Sequence, residues 1–394
     1  MQLHCGACGA TRAPDPMLHS CPIPGCASPL EVLLGPEELG KAATFEGRGV
    51  WRYRPLLPVD RAATLGEGAT GLHPCERLGG ELGIPRLYVK NEGENPTGSF
   101  KDRGMTVGIA VARSAGSRTV VCASTGNTSA SMAAYAARAG LRALVLLPAG
   151  KVALGKLSQA VAHGARIAQV EGDFDDAMRL VVELSSKDRG VYLLNSLNPY
   201  RLEGQKTLAF EVCEELGDAP DAVVLPVGNA GNISAIWKGF NEWKALGRAR
   251  RLPRMLAAQA ERSAPLVTHL RDRSRPCRVE HPETVATAIR IGQPVNWRKA
   301  VAAVLDSGGE AGTVTDEEIL SAQRLLARSE GLFVEPASAA PIAWLLRNRP
   351  KGLETVVAVA TGHGLKDPDA LAGAAVTLER VKPELAAIRR LLDS

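Results

Sequence analysis

The sequence has few aromatic residues and no concentrated block of one charge. Only 4% of its 394 residues are aromatic, and its 47 basic residues are nearly balanced by 42 acidic ones, which leaves a formal net charge of +5. No basic block is longer than "RARR" at 248–251. So weak a bias is typical of a solvated mixed surface and argues against nucleic acid as a partner.

Features of membrane and exported proteins are also missing. No apolar stretch approaches about 18 residues, the length that a membrane-spanning helix requires. The N-terminal segment "MQLHCGACGA" has no charged region followed by an apolar one, as a secretory signal would. We therefore expect a cytoplasmic protein without a membrane partner. Its 45% apolar content suffices for sizeable cores, and its length predicts two or three domains.

Half of the eight cysteines lie close to the N-terminus, as Cys5-x2-Cys8 and Cys21-x4-Cys26. Gly and Pro around each pair permit the tight turns that fold a backbone around a tetrahedral ion. The pattern predicts a zinc-ribbon-like extension over residues 1–45 that binds structural zinc. Free thiols are the alternative, because the x4 spacing is looser than the usual x2. Disulfides are not expected in the cytoplasm.

Beyond this extension, short β-rich runs alternate with helical patterns. Strands are predicted at 118–124, 142–148, 166–172, 221–228 and 355–361, and helices at 129–140, 152–164, 174–186, 233–246 and after 361. Runs of Val, Ile and Leu separated by helices indicate parallel sheets covered on both faces. The units are too many for one open sheet, so we expect two open parallel-sheet α/β domains with the active site in the cleft between them. The predicted large domain comprises 46–95 and 190–394, and the small domain 96–189.

Polar loops follow several of these strands, where α/β proteins bind ligands. They are "NPTGSFKDRG" (95–104), "STGNTSAS" (124–131), "PVGNAGNIS" (226–234) and "ATGHGLKDPD" (360–369). In the third loop, small residues ahead of a helix let backbone N–H groups converge on a phosphate. A phosphate-binding loop and a lysine at a strand end suggest pyridoxal phosphate, with Lys101 as its Schiff-base amine. The alternative is a solvated surface lysine.

Several longer segments carry a family resemblance. They include "KNEGENPTGSFKDRGM", "ASTGNTSASMAAYAARAG", "NSLNPYRLEGQKT", "LPVGNAGNISAIWKGF", "VEPASAA" and "TGHGLKDPD". Through these motifs, residues 50–370 resemble the threonine synthases, in the tryptophan-synthase-β-like, fold type II group of pyridoxal phosphate enzymes. An N-terminal cysteine-bearing extension occurs in part of that family.

The resemblance implies a role for each cofactor-binding residue. Lys101 would bind the cofactor aldehyde, with Phe100 packed beside it. Asn127 would donate to the ring O3′, and the hydroxyl of Thr361 would meet the pyridine nitrogen. The cofactor phosphate would be held by the backbone of five consecutive residues: Gly228, Asn229, Ala230, Gly231 and Asn232.

The resemblance also implies the substrate, O-phospho-L-homoserine, and two sets of residues that bind it. Ser124, Thr125 and Thr128 would bind its carboxylate, and Asn195, Ser196 and Arg201 its phosphate. Helix capping is the alternative role for the hydroxyl residues, and a surface ion pair is the alternative for Arg201.

The implied reaction is that of a carbon–oxygen lyase acting on a phosphate ester in threonine biosynthesis. Lys101 would remove an α-proton and then a β-proton, phosphate would leave from Cγ, and water would add at Cβ to give L-threonine. A homodimer is expected from the resemblance alone. Three alternatives stay open: a β-replacement enzyme that converts O-phosphoserine to cysteate, a catalytically silent regulator on this fold, and a zinc-ribbon-mediated interaction protein.

Overall fold

The computed structural model describes residues 1–40, 44–61, 63–124, 126–149, 154–367 and 384–385. Its strands are β1 (Gln2–His4), β2 (Thr11–Arg12), β3 (Glu31–Leu33), β4 (Leu72–Pro74), β5 (Arg86–Asn91), β6 (Thr119–Ala123), β7 (Arg142–Pro148), β8 (Arg166–Val170), β9 (Val191–Leu193), β10 (Ala222–Pro226), β11 (Arg254–Ala260), β12 (Glu310–Val314) and β13 (Thr355–Ala360).

The α-helices of the described chain are α1 (Pro36–Gly40), α2 (Glu76–Leu82), α3 (Lys101–Ser114), α4 (Asn127–Ala139), α5 (Leu154–Ala162), α6 (Phe174–Lys187), α7 (Pro199–Gln205), α8 (Thr207–Leu216), α9 (Gly231–Ala245), α10 (Pro265–Arg271), α11 (Trp297–Asp306), α12 (Asp316–Glu330) and α13 (Pro336–Asn348). The helical segment predicted after residue 361 lies largely outside the described residues. Among those residues, no helix is long and apolar enough to cross a membrane.

Two of the sheets are built from parallel strands, as predicted. One has six strands in the order β12-β11-β10-β13-β5-β4, with only β4 antiparallel to its neighbour. The other has four parallel strands in the order β8-β7-β6-β9. The predicted class, two open α/β layers of fold type II, is confirmed. Strand β9 pairs with β6 in the four-stranded sheet, although it follows residue 190, where we placed a domain boundary.

Helices cover both faces of the six-stranded sheet, because its strands are apolar on both sides. Trp344 of α13 belongs to the core on one face, and Phe210 of α8 and Trp243 of α9 to the core on the other. Around the four-stranded sheet, Met105 of α3 and Tyr135 of α4 lie in one core. The helix α6 closes the opposite face.

The N-terminal segment forms a small antiparallel sheet in the order β2-β1-β3. Its apolar residues Leu3, Leu30 and Val32 belong to the same core as α3 and α4, so the segment is packed into the body of the protein. The terminal ammonium groups of Lys238 and Lys299 donate to the backbone oxygens of Val32 and Leu30, respectively.

A buried ion network ties α3 to the six-stranded sheet. The guanidinium of Arg103 donates to Glu92 at 2.6 and 2.8 Å and to both oxygens of Glu211 at 2.7 Å. Lys90 of β5 lies 3.1 Å from the same Glu211 carboxylate. Charges buried this deeply are stable only when they are paired. The network therefore fixes the start of α3, and with it Lys101, relative to the end of β5.

We expect Arg103→Met to destabilise the fold by about 3 to 5 kcal/mol, because it removes the cation that pairs with the buried Glu92 and one of the two that pair with Glu211. The exposed Arg113, on the last turn of the same helix, provides a matched control. Replacing it with Met should change the free energy of unfolding by only about 0.5 kcal/mol. Denaturant unfolding measures both variants, and equal stability of the two would contradict the structural role of the network.

Candidate active site

Lys101 lies where the two α/β layers meet. It is the first residue of α3, directly after the loop that leaves β5. The preceding Phe100 donates its backbone N–H to the carbonyl of Thr361 at 3.0 Å, and Ser99 forms an isolated β-bridge with Gly362. The following Asp102 accepts hydrogen bonds from Thr97 and Ser131, which tie the loop to α4. Both neighbours of the lysine are therefore anchored.

The environment of the Lys101 amine favours its neutral form. Its Nζ lies 3.9 Å from the centroid of the Phe100 ring. Within the described part of the chain, no hydrogen bond or ion pair reaches this nitrogen. Desolvation, reinforced by the Arg201 guanidinium and partly offset by Glu335, lowers the pKa of Lys101 to about 7. A large fraction of the amine is therefore uncharged near neutral pH, as a nucleophile and base must be.

Asn127 and Thr361, predicted at opposite edges of the cofactor ring, share one buried carboxylate. The Nδ2 atom of Asn127 donates to both oxygens of Glu335, at 3.3 and 3.1 Å. The Oγ1 atom of Thr361 lies 3.4 Å from Glu335 Oε1 and 3.0 Å from Ser338 Oγ. Sequence reasoning assigned no role to Glu335 or Ser338, although "VEPASAA" was among the family motifs.

The predicted phosphate loop leaves β10 and enters α9. Ala230 precedes this helix with φ 63°, a left-handed conformation, and supplies no side-chain cap. The first N–H groups of α9 are therefore open to an anion. Nearby, the buried Nδ2 of Asn232 lacks a hydrogen-bond partner among the described residues. An added Cβ at Gly228 would lie 3.1 Å from the backbone of Ala288, so the loop packs closely there.

Arg201 lies on α7 with 2% of its surface exposed. Its Nη1 donates to the carbonyl of Leu194 at 3.1 Å, and its Nε is buried without a hydrogen-bond partner. No carboxylate pairs with this guanidinium in the part of the chain that is described, so the alternative of a surface ion pair is excluded. Burial lowers the pKa of Arg201 to about 10. Buried charges are usually paired, so this guanidinium is available to an anionic ligand.

The other predicted substrate residues differ in the contacts that they make. Asn195 exchanges two hydrogen bonds with the backbone of Ala123, at 3.0 and 2.9 Å, so its amide serves first to align the loop after β6. Ser124 accepts a hydrogen bond from the Gly126 amide at 3.3 Å. Thr128 lies in the first turn of α4, and the backbone of Ser196 accepts from Asn296 at 3.0 Å. Thr125 lies outside the described residues.

Comparison with known proteins identifies the family. A model for pyridoxal-phosphate dependent enzymes matches residues 63–362. A threonine synthase of Methanocaldococcus jannaschii is 51% identical, over 100% of this chain and 99% of the relative. One from Methanosarcina acetivorans is 53% identical, over 93% and 92%. The chain belongs to the threonine synthase family of pyridoxal-phosphate dependent enzymes.

Solved structures agree at the level of the fold. The processed form of threonine deaminase isoform 2 from Solanum lycopersicum matches with a TM-score of 0.66 at 21% identity, over 84% of this chain and 97% of that one. Maize serine racemase matches with a TM-score of 0.65 at 21% identity, over 75% of this chain and 88% of that one. This chain thus shares its fold with a threonine deaminase and a serine racemase.

The residues of the cleft fit the cofactor of this family. Uncapped amides at the start of α9 and the unpartnered Asn232 amide suit its phosphate. Lys101 offers a largely neutral amine for its aldehyde. Asn127 and Thr361 supply an amide and a hydroxyl, and both already contact Glu335. The cleft therefore provides a donor or an amine for each polar part of pyridoxal phosphate.

The structure brings the four N-terminal cysteines together. The sulfur atoms of Cys5, Cys8, Cys21 and Cys26 all lie within 4.8 Å of one another. Cys5 and Cys26 are 3.5 Å apart, and Cys8 and Cys21 are 3.7 Å apart. A tetrahedral zinc ion with Zn–S bonds of about 2.3 Å places its sulfur ligands about 3.8 Å apart. The cluster fits such an ion, with no ligand position left for a substrate.

The segment that carries these cysteines, residues 5–26, is called the cysteine unit here, and it lies against the segment that carries Arg201. The ring of His19, between the two cysteine pairs, makes an edge contact with Tyr192 of β9 at 5.2 Å between centroids. His19 Nε2 also lies 3.4 Å from Nδ2 of Asn198, whose side chain caps α7 by accepting from the Tyr200 amide. The cysteine unit therefore supports the start of α7, the helix that carries Arg201.

Lys101 should react with acetic anhydride with a midpoint near pH 7 in full-length protein freed of cofactor. The neutral amine is the reactive form, so labelling should rise as the pH passes through the lowered pKa of about 7. Exposed lysines, which ordinarily titrate near pH 10.4, provide the internal control. Mass spectrometry of labelled peptides resolves the two classes. A Lys101 midpoint coinciding with that of the exposed lysines would contradict the desolvated environment.

Purified protein should contain about one zinc ion per chain, bound by the four clustered cysteines. Cys8→Ser should lose the metal and lower the melting temperature, because binding of a structural metal contributes to folding. Cys277→Ser, which alters a buried thiol outside the cluster, should retain the zinc. Elemental analysis and thermal unfolding test this pair. Metal-free protein that melts like its zinc-loaded form would refute the assignment.

Proposed function

We propose that this chain is a threonine synthase that releases phosphate from O-phospho-L-homoserine and adds water at Cβ to give L-threonine. The family relationship supports the reaction, since curated relatives with 51–56% identity are threonine synthases. The observation that carries the substrate assignment is Arg201, a buried guanidinium that has no carboxylate partner among the described residues. A phosphate ester supplies the missing anion.

Arg201 suits the substrate phosphate for geometric reasons. A guanidinium can donate to two phosphate oxygens at once, and its Nε donor is free within the described chain. Asn195 and Ser196 belong to the same loop after β9, so they lie beside the start of α7. We assign the binding of the substrate phosphate to Asn195, Ser196 and Arg201. Asn195 also holds the end of β6 in place through its hydrogen bonds to Ala123.

The substrate carboxylate is assigned to the start of α4. Gly126 precedes this helix without a side-chain cap, so the N-terminal N–H groups of α4 are open to an anion. Ser124, Thr125 and Thr128 bracket this position in the sequence. In this arrangement, the two anionic ends of the substrate are bound by α4 and α7, and its α-carbon lies between them, near Lys101.

Pyridoxal phosphate, when bound, supplies an electron sink that stabilises negative charge on the substrate α-carbon. We assign it to Lys101, Asn127, Thr361 and the loop of residues 228–232.

Lys101 then acts as the base. Its lowered pKa allows the free amine to accept a proton from the α-carbon and, after that proton has been released, one from the β-carbon. A proton returns from the Lys101 ammonium to Cγ once phosphate has left, and another returns to Cα once water has added at Cβ. Arg201 stabilises the phosphate as it departs from Cγ, because charge increases on the leaving oxygens. The departing phosphate, still bound to Arg201, serves as the base for the water that adds at Cβ.

Three finer expectations stay predictions. They are a cytoplasmic location, a homodimeric assembly, and a division into domains at 1–45, at 46–95 with 190–394, and at 96–189.

The β-replacement reaction on O-phosphoserine is the nearest rival function. It requires the same lysine and the same phosphate loop, so the two are separated by how the substrate phosphate is bound.

Arg201→Lys should lower kcat/KM for O-phosphohomoserine by about tenfold to a hundredfold. Lysine keeps the charge but loses the planar contact to two oxygens, and a charge-assisted hydrogen bond contributes about 1.5 to 3 kcal/mol. Turnover of homoserine, which lacks the phosphate, should be poor in both proteins and nearly insensitive to the change. Steady-state phosphate release and product analysis measure these effects.

The matched control is Arg251→Lys, at an exposed arginine that pairs with Asp221 at 2.6 Å. It should leave kcat/KM unchanged. Cofactor absorbance should be the same in all three proteins, since Arg201 is assigned to the substrate. If Arg201→Lys impaired phosphorylated and unphosphorylated substrates equally, Arg201 would have a structural role and the proposal would fail.

A further inference from the structure

Glu335 is a buried carboxylate that helix capping does not explain. It is the last residue before α13, with φ −64° and ψ 156°, yet its side chain makes no capping hydrogen bond to that helix. Only 4% of its surface is exposed. The carboxylate instead points to the cleft, where it accepts hydrogen bonds from Asn127 Nδ2 and Thr361 Oγ1.

The backbone around Glu335 leaves this carboxylate little freedom. Its N–H donates to the carbonyl of Gly362 at 3.0 Å, and the adjacent Val334 forms a β-bridge with His363. A Cβ added to Gly362 would lie 2.6 to 2.8 Å from the carboxylate atoms of Glu335. Ser338, one turn further along α13, accepts from the Gly362 amide at 2.8 Å. The carboxylate is therefore packed flat against the strand end that carries Thr361.

We propose that Glu335 is a positioning residue of the cofactor site, which orients Asn127 and Thr361 together and supplies the negative charge that faces Lys101. The inference rests on the proposed cofactor-binding roles of those residues. Asn127 begins α4 and Thr361 follows β13, so one carboxylate joins the two layers at the cleft. Both contacts from the Asn127 amide nitrogen go to this one carboxylate, so they can share one hydrogen and leave the second for the cofactor.

Charged groups of both signs act on this carboxylate. Lys101 and Lys366 face it as cations, and Asp367 as an anion. Burial raises the pKa of Glu335, whereas the Asn127 hydrogen bond and the two lysines lower it. The Lys366 ammonium is held by the carbonyl of Thr97 at 2.9 Å and by Gln159 at 2.8 Å, so its position is fixed independently.

Glu335 and Arg201 have opposite effects on the pKa of Lys101. The guanidinium and desolvation disfavour the ammonium form, and the carboxylate favours it. The carboxylate of the neighbouring Asp102 accepts hydrogen bonds from Thr97 and Ser131. Removing the charge of Glu335 should therefore lower the pKa of Lys101 further. A residue that only filled space would not affect this titration.

Three variants of Glu335 separate the effects of its charge, its side-chain length and its packing. Glu335→Gln keeps the size and one acceptor but removes the charge, so the pH midpoint of Lys101 acetylation should shift to lower pH in full-length protein freed of cofactor. Glu335→Asp keeps the charge but is too short to contact both partners. It should leave the midpoint close to that of the parent and bind pyridoxal phosphate more weakly. Glu335→Ala should weaken that binding by about ten- to a hundredfold.

Glu310→Gln is the control, since it neutralises an exposed carboxylate on β12 that pairs with Arg254 at 3.2 Å. It should change neither the pH midpoint of Lys101 acetylation nor the affinity for pyridoxal phosphate. Binding is followed by visible absorbance as pyridoxal phosphate is added to the full chain, and circular dichroism verifies folding of each variant. The isosteric Gln variant keeps the test valid if the Ala variant does not fold.

An unshifted Lys101 midpoint in Glu335→Gln, with cofactor affinity in Glu335→Asp equal to that of the parent, would overturn the proposal. Neither readout uses a substrate. Failure to form threonine would therefore count against the proposed function and not against the role of Glu335.

Discussion

The basic side chains of Lys101 and Arg201, which lie in one cleft, constrain the rest of this structure. Desolvation and, to a smaller extent, the Arg201 guanidinium lower the pKa of the Lys101 amine, and Arg201 lacks a carboxylate partner in the described chain. Buried charge without a partner is costly, so such an arrangement is kept only where a ligand supplies the opposite charge. In the proposed function a phosphorylated amino acid supplies that charge, and the lowered pKa of about 7 keeps much of the lysine amine neutral near neutral pH.

The surrounding scaffold holds these groups in place through buried polar contacts. The pairing of Arg103 with Glu92 and Glu211 fixes the start of α3, and Asp102 ties the lysine loop to α4. On the other side, the cysteine unit packs on the start of α7 through His19. The site is thus held by rigid elements on both sides, as precise positioning requires.

Much of this arrangement could be predicted from sequence, because its signals are local. Apolar runs such as "RALVLLP" and the capping Gly140 mark strands and helix ends whose bounds agree within a few residues. The strand β12, "EAGTV", was missed because its pairing with β11, and not its composition, makes it a strand. The six-stranded order places β5 between β13 and β4, and such long-range pairing has no local signal. Glu335 was missed for the same reason: its partners are 208 and 26 residues away in sequence.

The most direct test of the account is product analysis with O-phosphohomoserine and O-phosphoserine side by side. Phosphate release is measured together with the amino-acid product, at equal substrate concentrations and with sulfite present as a nucleophile. The account predicts that phosphohomoserine is converted to threonine with one phosphate released per threonine, and that phosphoserine is turned over far more slowly. Conversion of phosphoserine to cysteate at a comparable or higher rate, or release of phosphate without threonine, would contradict it.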